Sequence, residues 1–496
     1  MDIRFYNTLS NQRERFEPVD DGVVRMYHCG PTVYDFAHIG NFRAFLLADL
    51  LRRFFEFVGD DVEQVMNITD VGHMTEDQVA DGGGEDKMAL AMQRLKDSKK
   101  GGEADVDDPN DPYQVADYFA RAFVEDARLM GLKLAGDDPR WMPHATDNIA
   151  NMIELIGKLI DSGHAYVADD GAVYYDVASF EDYGKLSGNL TTRLVAGAGG
   201  RIQEAHQKGK RNPADFLLWK PDASHIMKWD APWGVGYPGW HIECSAMAMS
   251  TLGVDTLDIH TGGEDNIFPH HECEIAQSTG ATGKPFANYW LHARHLMVEG
   301  EKMSKSKGNF FTVRDLLARG TDPSALRYEL LRTHYRDNAN FTAKGLGDSE
   351  KAVERLRAVA GRRDVADPDP PVRMGDTPVE SAFAEALADD LNISAALGAL
   401  FKWLHEVGEP GDADVAALKR INGVLGVLER REPEFEVEAA GLDDDAVEQR
   451  VEHIRRARAA RDYATSDAIR DELQAAGIEV QITRDGVAWK RHARLD

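Results

Sequence analysis

Three groups of side chains in the sequence have the types and spacing to do chemistry. The first is His38-Ile39-Gly40-Asn41, within PTVYDFAHIGNFR. A strand-like run, Val23 to His28, precedes it and a helical pattern follows, so it falls where a loop enters a helix. A helix N-terminus offers unpaired N–H groups and partial positive charge, which suits phosphate. Gly40 lets a flat base lie on the backbone, and His38 and Asn41 can donate to phosphate oxygens. The bland alternative is a packed turn. The second group is EKMSKSKGNFF, with Lys302, Lys305 and Lys307 close together in a chain whose 57 basic residues include only 20 Lys. Such a run is usually a solvated face. As chemistry, its ammonium groups suit a loop that stabilises a leaving pyrophosphate, where charge builds up in the transition state. The third group is Cys29, at the end of the first strand, Cys244 in PGWHIECSAM, and His270 with Glu274 in FPHHECEIAQS. The last two are spaced i, i+4 and share one face of a helix. Two Cys, one His and one Glu are a plausible zinc set. Their spacing matches neither a zinc finger nor a ribbon. Taken singly, Cys29 and Cys244 read equally as buried structural thiols, and the histidines as locally satisfied.

The elements around these groups can be read from periodicity. Phe45, Leu46, Asp49, Leu50, Arg53, Phe54 and Phe57 recur at helical spacing, and Val62 to Ile68 is a second strand candidate. Strand, Gly-containing turn, helix and strand make a βαβ unit, which predicts a parallel sheet. Residues 76–112 are Gly- and Asp-rich and read as a loop carrying one short helix, Lys87 to Lys96. Helical stretches are expected at about 115–130 and 146–162. Residues 165–228 carry short strands and a Gly cluster (AGAGG), as an insertion between two halves of a sheet domain would. Sheet character resumes at Leu257 to His260 and Tyr289 to His292, and after Thr312 the pattern is almost purely helical. The four prolines of 364–378 predict a linker. Two helices, 379–408 and 412–431, are expected next. A small unit then carries helices at 446–461 and 463–476 and a strand pair turning at Arg484-Asp485-Gly486.

The chain has 496 residues, 43% of them hydrophobic, enough for about three domains. No run of about 18 apolar residues predicts a membrane span, and the first residues lack the apolar core of a signal peptide. Three cysteines exclude a disulfide scaffold and suit a reducing cytoplasm. With 57 basic and 85 acidic residues the net charge is −28, which argues against a generic nucleic-acid coat protein. The scarcity of Lys and the Asp-rich loops (81–86, 104–112, 364–371) fit adaptation to molar salt, where repulsion is screened within about 3 Å. Plain solubility is the alternative.

The first two motifs, in this order, resemble the HIGH and KMSKS signatures of class I aminoacyl-tRNA synthetases, with Asn41 where the most familiar form has His. YHCGPTVYD, FAHIGN, NITD, GWHIECSAM, TGGEDNIFPHHECEIAQS, KMSKSKGNFFTVRDLL and ALRYELLRTHYR fall in the order of the cysteinyl-tRNA synthetase family. The resemblance spans essentially the whole chain and implies an α/β fold. A Rossmann-like catalytic domain (1–130 and 230–298) would carry an inserted connective domain (131–229). A KMSKS and stem-contact region (299–363), the linker (364–378), a helical-bundle tRNA-binding domain (379–432) and a small α/β anticodon-binding unit (433–496) would follow. It implies one zinc ion held by Cys29, Cys244, His270 and Glu274, with His271 and Glu272 supporting them and Cys273 packing nearby. Thr69 and Trp240 would line the cysteine pocket, with Gly30 and Thr32 near the substrate amine. Gly263 and Asp265 correspond to the ribose loop, and His38, Gly40, Asn41 and Lys305 to ATP contacts. His38, Asn41, Lys302 and Lys305 would stabilise the charge of adenylation, with Mg²⁺ bridging phosphates.

The implied substrates are L-cysteine, ATP and tRNA(Cys), and the implied state is a cytoplasmic monomer. A metal suits the selectivity problem. Cys and Ser differ by one side-chain atom, and an apolar pocket separates such ligands by only ~1–3 kcal/mol. Zinc prefers a thiolate, whereas a serine hydroxyl stays protonated. Arg455, Arg456, Arg458 and Arg461, with KRHAR at 490–494, are the clearest basic features of the terminal unit. Trp489 could stack on a base or sit in a core. Two rival functions fit less well. A ligase joining cysteine to an amino sugar would lack the long C-terminus, and a zinc hydrolase would need an H-E-x-x-H order that is absent.

Overall fold

The structure, a computed structural model, describes residues 1–74, 85–98, 106–188, 209–304, 307–435, 444–476, 478–483 and 486–491. Residues 76–84 and 99–105 of the acidic stretch, the Gly cluster at 196–200, Lys305, the Arg484-Asp485 turn and residues 492–494 of KRHAR lie outside them.

A short hairpin, β1 (Arg4–Asn7) and β2 (Gln12–Arg15), leads into β3 (Val23–His28), α1 (Ile39–Val58) and β4 (Asp61–Met66). β3 and β4 pair in parallel from Val23 opposite Asp61 to His28 opposite Met66, the crossover unit that the periodicity predicts. α1 buries Phe42, Phe45, Leu46, Leu50 and Phe54 at helical spacing, each worth about 1.5–3 kcal/mol of burial. It stops at Gly59, whose φ of 114° is left-handed. Next come α2 (Lys87–Ser98), α3 (Pro112–Leu129) and α4 (Ile149–Asp161). An antiparallel sheet follows, of β5 (Ala165–Val167), β6 (Val173–Tyr175), β7 (Phe216–Pro221) and β8 (Gly236–Pro238). β8 pairs with β7, so this insertion sheet reaches past residue 229.

The chain then returns to the parallel sheet through α5 (Trp240–Leu252), β9 (Leu257–Gly263), α6 (Glu272–Thr282) and β10 (Ala287–Ala293). The order is β10-β9-β3-β4, with every pair parallel. In such a sheet ligands bind outside the carboxyl ends of the strands, where strand order reverses. Here that edge carries Cys29, Asn67, Gly263 and Arg294, each at or just past the end of its strand.

A small sheet of β11 (Leu296–Val298), β12 (Glu301–Lys302) and β13 (Ala339–Phe341) carries the start of the lysine segment on its edge strand β12, and α7 (Val313–Ala318), α8 (Pro323–Leu331) and α9 (Ala343–Ala360) follow in the same region of the chain. The expected helix at 379–408 is two helices, α10 (Pro378–Ala388) and α11 (Ile393–Glu406). Asp390 and Leu391 between them have left-handed φ of 63° and 51°. Tertiary contacts hold this break open. Asp390 Oδ1 accepts from Tyr6 N at 2.8 Å and Tyr335 OH at 2.6 Å, and Asp390 N donates to Arg4 O at 2.8 Å. α12 (Asp412–Leu425) ends at Gly426.

The Pro-rich 364–378 segment reaches α1, where Met374 N donates to Phe57 O at 2.8 Å. Arg327 on α8 is fully buried and ties three regions together. It donates to Leu425 O at 2.6 Å, to Met130 O at 3.0 Å, and to Asp49 Oδ2 on α1 at 2.6 Å. A terminal unit of α13 (Asp444–Ala459), α14 (Tyr463–Ala475), β14 (Ile478–Thr483) and β15 (Gly486–Arg491) has its own small core of Val447, Val451, Ile454, Leu473 and Ile478. Among the described residues no helix is long and apolar enough to cross a membrane.

Candidate active site and metal centre

A cleft of about 470 Å³ opens at the carboxyl edge of the parallel sheet. Its lining includes Cys29, Gly30, Thr32, His38, Gly40, Asn41, Thr69, Trp240, Cys244, Gly263, Asp265, His270 and Lys302. The folded chain therefore gathers nearly all the residues singled out from sequence. Glu274 lies just behind the cleft wall, and Lys305 lies outside the described residues.

The thiol cluster forms the floor. Cys29 and Cys244 Sγ are 3.8 Å apart, and Cys244 Sγ is 3.4 Å from His270 Nε2. Cys29 Sγ is 3.4 Å from Glu274 Oε1, which is 3.1 Å from His270 Nε2. Zn–S bonds of about 2.3 Å and Zn–N or Zn–O bonds of about 2.1 Å make tetrahedron edges of about 3.8 Å between sulfurs, 3.5 Å from sulfur to N or O, and 3.4 Å from N to O. The four separations above match those edges within a few tenths of an ångström, all four donors lie within 4.8 Å of one another, and all are buried.

Burial and mutual contact also shift the charge states of these donors. Burial opposes charge on His270, yet Cys244 and Glu274 outweigh it and raise its pKa to about 10. Burial likewise opposes ionised Glu274, but His260 and His270 hold it down at about 2. Burial pushes the Cys29 thiol well up. These residues fit zinc.

A second donor set, Cys29, His260, His271 and Glu274, is equally compact. His260 and His271 do not line the cleft, however, and each is engaged elsewhere. His260 stacks on Trp290 and holds Glu274 Oε2 at 2.9 Å. His271 Nδ1 meets His292 Nε2 at 2.8 Å, while its Nε2 lies 3.3 Å from Cys29 Sγ. His271 thus supports the cluster, as expected. Glu272 does not touch it. Its carboxylate accepts from the backbone N–H groups of Leu186 and Ser187, because its place in the helix turns it away from the thiols. Cys273 packs in the neighbouring apolar core and meets Tyr183 OH at 3.4 Å.

Trp240 opens α5 one turn before Cys244, and its ring lies 4.7 Å from that of His270. Gly30 is required by close approach. An ideal Cβ there would stand 1.7 Å from Asn67 O, and Gly30 N donates to Asn67 Oδ1 at 2.8 Å. Thr32 bridges Thr69 in parallel. Asn67, Thr69 and Glu243 then form a buried chain. Asn67 Nδ2 donates to Thr69 Oγ1 at 3.0 Å, and Thr69 Oγ1 donates to Glu243 Oε2 at 2.9 Å. His73 Nε2 closes it at 2.5 Å from Glu243 Oε1. Asn67, Glu243, His73, His241 and His260 were not legible as site residues. Of these, Asn67 lies inside the NITD motif and His241 and Glu243 inside GWHIECSAM, so those three carried a usable signal.

The helix-entry motif is a reciprocal cap. Asn41 N donates to His38 Nδ1, and His38 N donates to Asn41 Oδ1, both at 3.1 Å. Capping through Nδ1 leaves the ring proton on Nε2, a donor. Asn at the third helical position can close such a cap, which accounts for its presence there. The lysine segment meets this motif directly. Ile39 N donates to Phe311 O at 3.0 Å, the His38 ring packs edge-on against Phe310, and a Cβ on Gly40 would stand 2.6 Å from Met303 Cε. Asn309 gathers the loop, accepting from Ser304 N at 2.8 Å and donating to Lys302 O at 3.3 Å. At the other rim, Gly263 ends β9 and Asp265 Oδ2 lies 3.4 Å from His295 Nδ1.

Comparison with known proteins follows the same lines. A protein-family model described as tRNA synthetases class I (C) catalytic domain matches residues 15–351. The chain is similar to the cysteine–tRNA ligase of Salinibacter ruber, at 43% identity over 99% of both chains. It is similar to that of Chlorobaculum tepidum at 40% identity, again over 99% of both. Among solved structures it resembles a putative arginyl-tRNA synthetase from Campylobacter jejuni, with a TM-score of 0.50, 12% identity, and 86% of this chain and 95% of that one covered. It also resembles Mycobacterium tuberculosis methionyl-tRNA synthetase bound by methionyl-adenylate, with a TM-score of 0.51, 14% identity and 82% and 89% covered. At those identities the structures speak for the fold alone, the Rossmann-like α/β fold of class I synthetases. The full-length match to the ligases, together with the family match, shows that this chain belongs to the cysteine–tRNA ligase family of class I tRNA synthetases.

Proposed function

We propose that the chain activates L-cysteine with ATP and transfers it to the 3′ end of tRNA(Cys). The observation that carries this reading is the Cys29–Cys244–His270–Glu274 cluster, whose edges suit zinc and which faces the same cleft as the His38 cap and Lys302. When bound, zinc supplies a partner that takes a thiolate and rejects a hydroxyl. In the first step the cysteine carboxylate attacks the α-phosphate of ATP, brought in with Mg²⁺, and pyrophosphate leaves. His38 Nε2–H and the Asn41 amide donate to the phosphates, and Lys302 and Lys305 offset the charge on the leaving group. Gly263 and Asp265 hold the ribose, while Gly30, Thr32, Thr69 and Trp240 enclose the amino acid. In the second step the terminal ribose hydroxyl of tRNA attacks the acyl carbon and AMP leaves. Positioning and electrostatics suffice, and no protein nucleophile is needed.

The helical region 379–432 and the terminal unit 433–496 are assigned to tRNA contact, the latter to the anticodon. Within that unit Arg455 donates to Glu448 and Arg456 to Glu452, at 2.7 and 3.2 Å, and Trp489 Nε1 donates to Glu448 at 2.9 Å. Trp489 packs on the small core, which favours its structural reading over base stacking.

The test is cysteine-dependent ATP–pyrophosphate exchange, followed by charging of tRNA(Cys). Exchange should require cysteine, ignore serine, fall on removal of zinc by a chelator and return on adding zinc. No exchange with cysteine, or equal exchange with serine, overturns the proposal.

A further inference from the structure

We propose that Lys87, the first residue of α2, contacts the carboxylate of L-cysteine in the cleft. This rests on the function proposed above and adds a substrate contact to it. Lys87 is the first residue of α2, where the chain returns from the segment beyond Met74. That return point is pinned to the core. Lys87 N donates to His73 O at 2.9 Å, and Met74 bridges Asp86. Asp86 accepts from Met88 N at 2.7 Å and faces His225 Nε2 of the insertion at 3.1 Å. A Cβ on Gly72 would stand only 3.2 Å from Asp86 Oδ1, so the two strands of chain are in close contact.

The side chain of Lys87 then enters the cleft that holds Cys29, Cys244 and His270. Its ammonium lies 5.3 Å from the centre of the Trp240 ring and 5.8 Å from that of Tyr34, within cation–π range. Trp240 in turn lies 4.7 Å from the His270 ring. The indole therefore spans from the thiol cluster to the ammonium, which puts Nζ at most about 10 Å from the His270 ring. A cysteine with its sulfur at the cluster carries its carboxylate about 4–5 Å farther out along the cleft, within reach of a lysine on a flexible four-carbon stem. A carboxylate is the anion this position suits, since a charge-assisted hydrogen bond is strong in a partly desolvated cleft. The lysine is half-buried and its ammonium rests on two aromatic rings, which hold a positive charge at this point of the cleft.

The discriminating ligand is cysteamine, which keeps the thiol and amine of cysteine and lacks the carboxylate. Binding of both ligands to the zinc-loaded full chain is measured by calorimetry, for the wild type and for Lys87→Met, with zinc content and melting temperature recorded beside it. Lys87→Met should weaken L-cysteine at least tenfold and cysteamine less than twofold. Lys87→Gln, a second neutral variant, should show the same selective loss, and Lys87→Arg should recover part of the L-cysteine affinity. Unchanged L-cysteine affinity, or equal weakening of both ligands, overturns the role of Lys87 and leaves the proposed function standing. A wild-type protein that binds no cysteine overturns the function and this role together.

Discussion

Replacing Gly30 by Ala tests whether one backbone approach holds the metal centre in shape. The Cβ would lie 1.7 Å from the carbonyl oxygen of Asn67, and that oxygen belongs to the main chain just past β4, so no rotamer relieves the clash. Reaching an ordinary contact of about 3.2 Å requires a shift of about 1.5 Å, the kind of overpacking that costs ~1–3 kcal/mol. The 2.8 Å bond from Gly30 N to Asn67 Oδ1 would also be strained, at about 1 kcal/mol. The variant should thus lose about 2–4 kcal/mol of stability. Its local consequence is larger. Cys29 is the adjacent residue, and the donor cluster has edges of 3.1 to 3.8 Å that a movement of this size would break. Misplacement of about 1 Å costs on the order of 100-fold in rate. Cysteine-dependent pyrophosphate exchange should fall by that factor, and bound zinc, measured by atomic emission, should fall below one per chain. Gly157→Ala is the control. It lies in α4 with nothing within 4 Å of its Cβ, and should keep zinc and exchange while gaining about 0.5–1 kcal/mol. A Gly30→Ala protein with one zinc and full exchange would refute the reasoning.

Other expectations follow from buried charge. Burial pushes the Asp126 carboxyl up to about 7 against the pull of Arg314, 2.9 Å away. Its folded pKa exceeds the unfolded value of about 3.9, so its contribution to stability is complete below pH 4 and disappears as pH rises through 7. Asp126→Asn should remove on the order of 2 kcal/mol of that decline between pH 5 and 8; parallel stability–pH curves for the two proteins would contradict this. Arg327→Met leaves Asp49 and several main-chain carbonyls short of a partner and should cost ~3–5 kcal/mol in urea unfolding. A double-mutant cycle with Asp49→Asn should show coupling above about 0.5 kcal/mol, and simple additivity would exclude it. With a net charge of −28, the melting temperature should be higher in molar KCl than in dilute buffer. Equal melting in both would leave the acidity as plain solubility.

Much of this molecule could be read before folding was considered. The strand at Val23 to His28, the helix after it and the parallel pairing to β4 follow from local periodicity, because burying one face of an element leaves its mark on the sequence. The two signature motifs were legible because short loops that grip phosphate need particular residue types at fixed offsets. The helix break at Asp390 and Leu391 was not legible. Its left-handed backbone is held by Tyr6, Arg4 and Tyr335, residues far away in the chain. The role of Glu272 was misread for a related reason: chain proximity to His270 says nothing about which way a helical side chain turns.

The zinc set shows the division most clearly. Sequence alone determined the donor types and the ends of the elements that carry them. Their separations, 215 residues between the two cysteines, could be closed only by the parallel sheet, which brings the ends of β3, β4, β9 and β10 to one edge. Tertiary structure likewise puts His270, and not its neighbour His271, on the lining of the cleft. It also set Lys87 over the ring of Trp240. Residue chemistry is a local property and survives in the one-dimensional text. Distances of 3 to 4 Å between remote side chains depend on the packing of whole layers, and only the folded chain sets them.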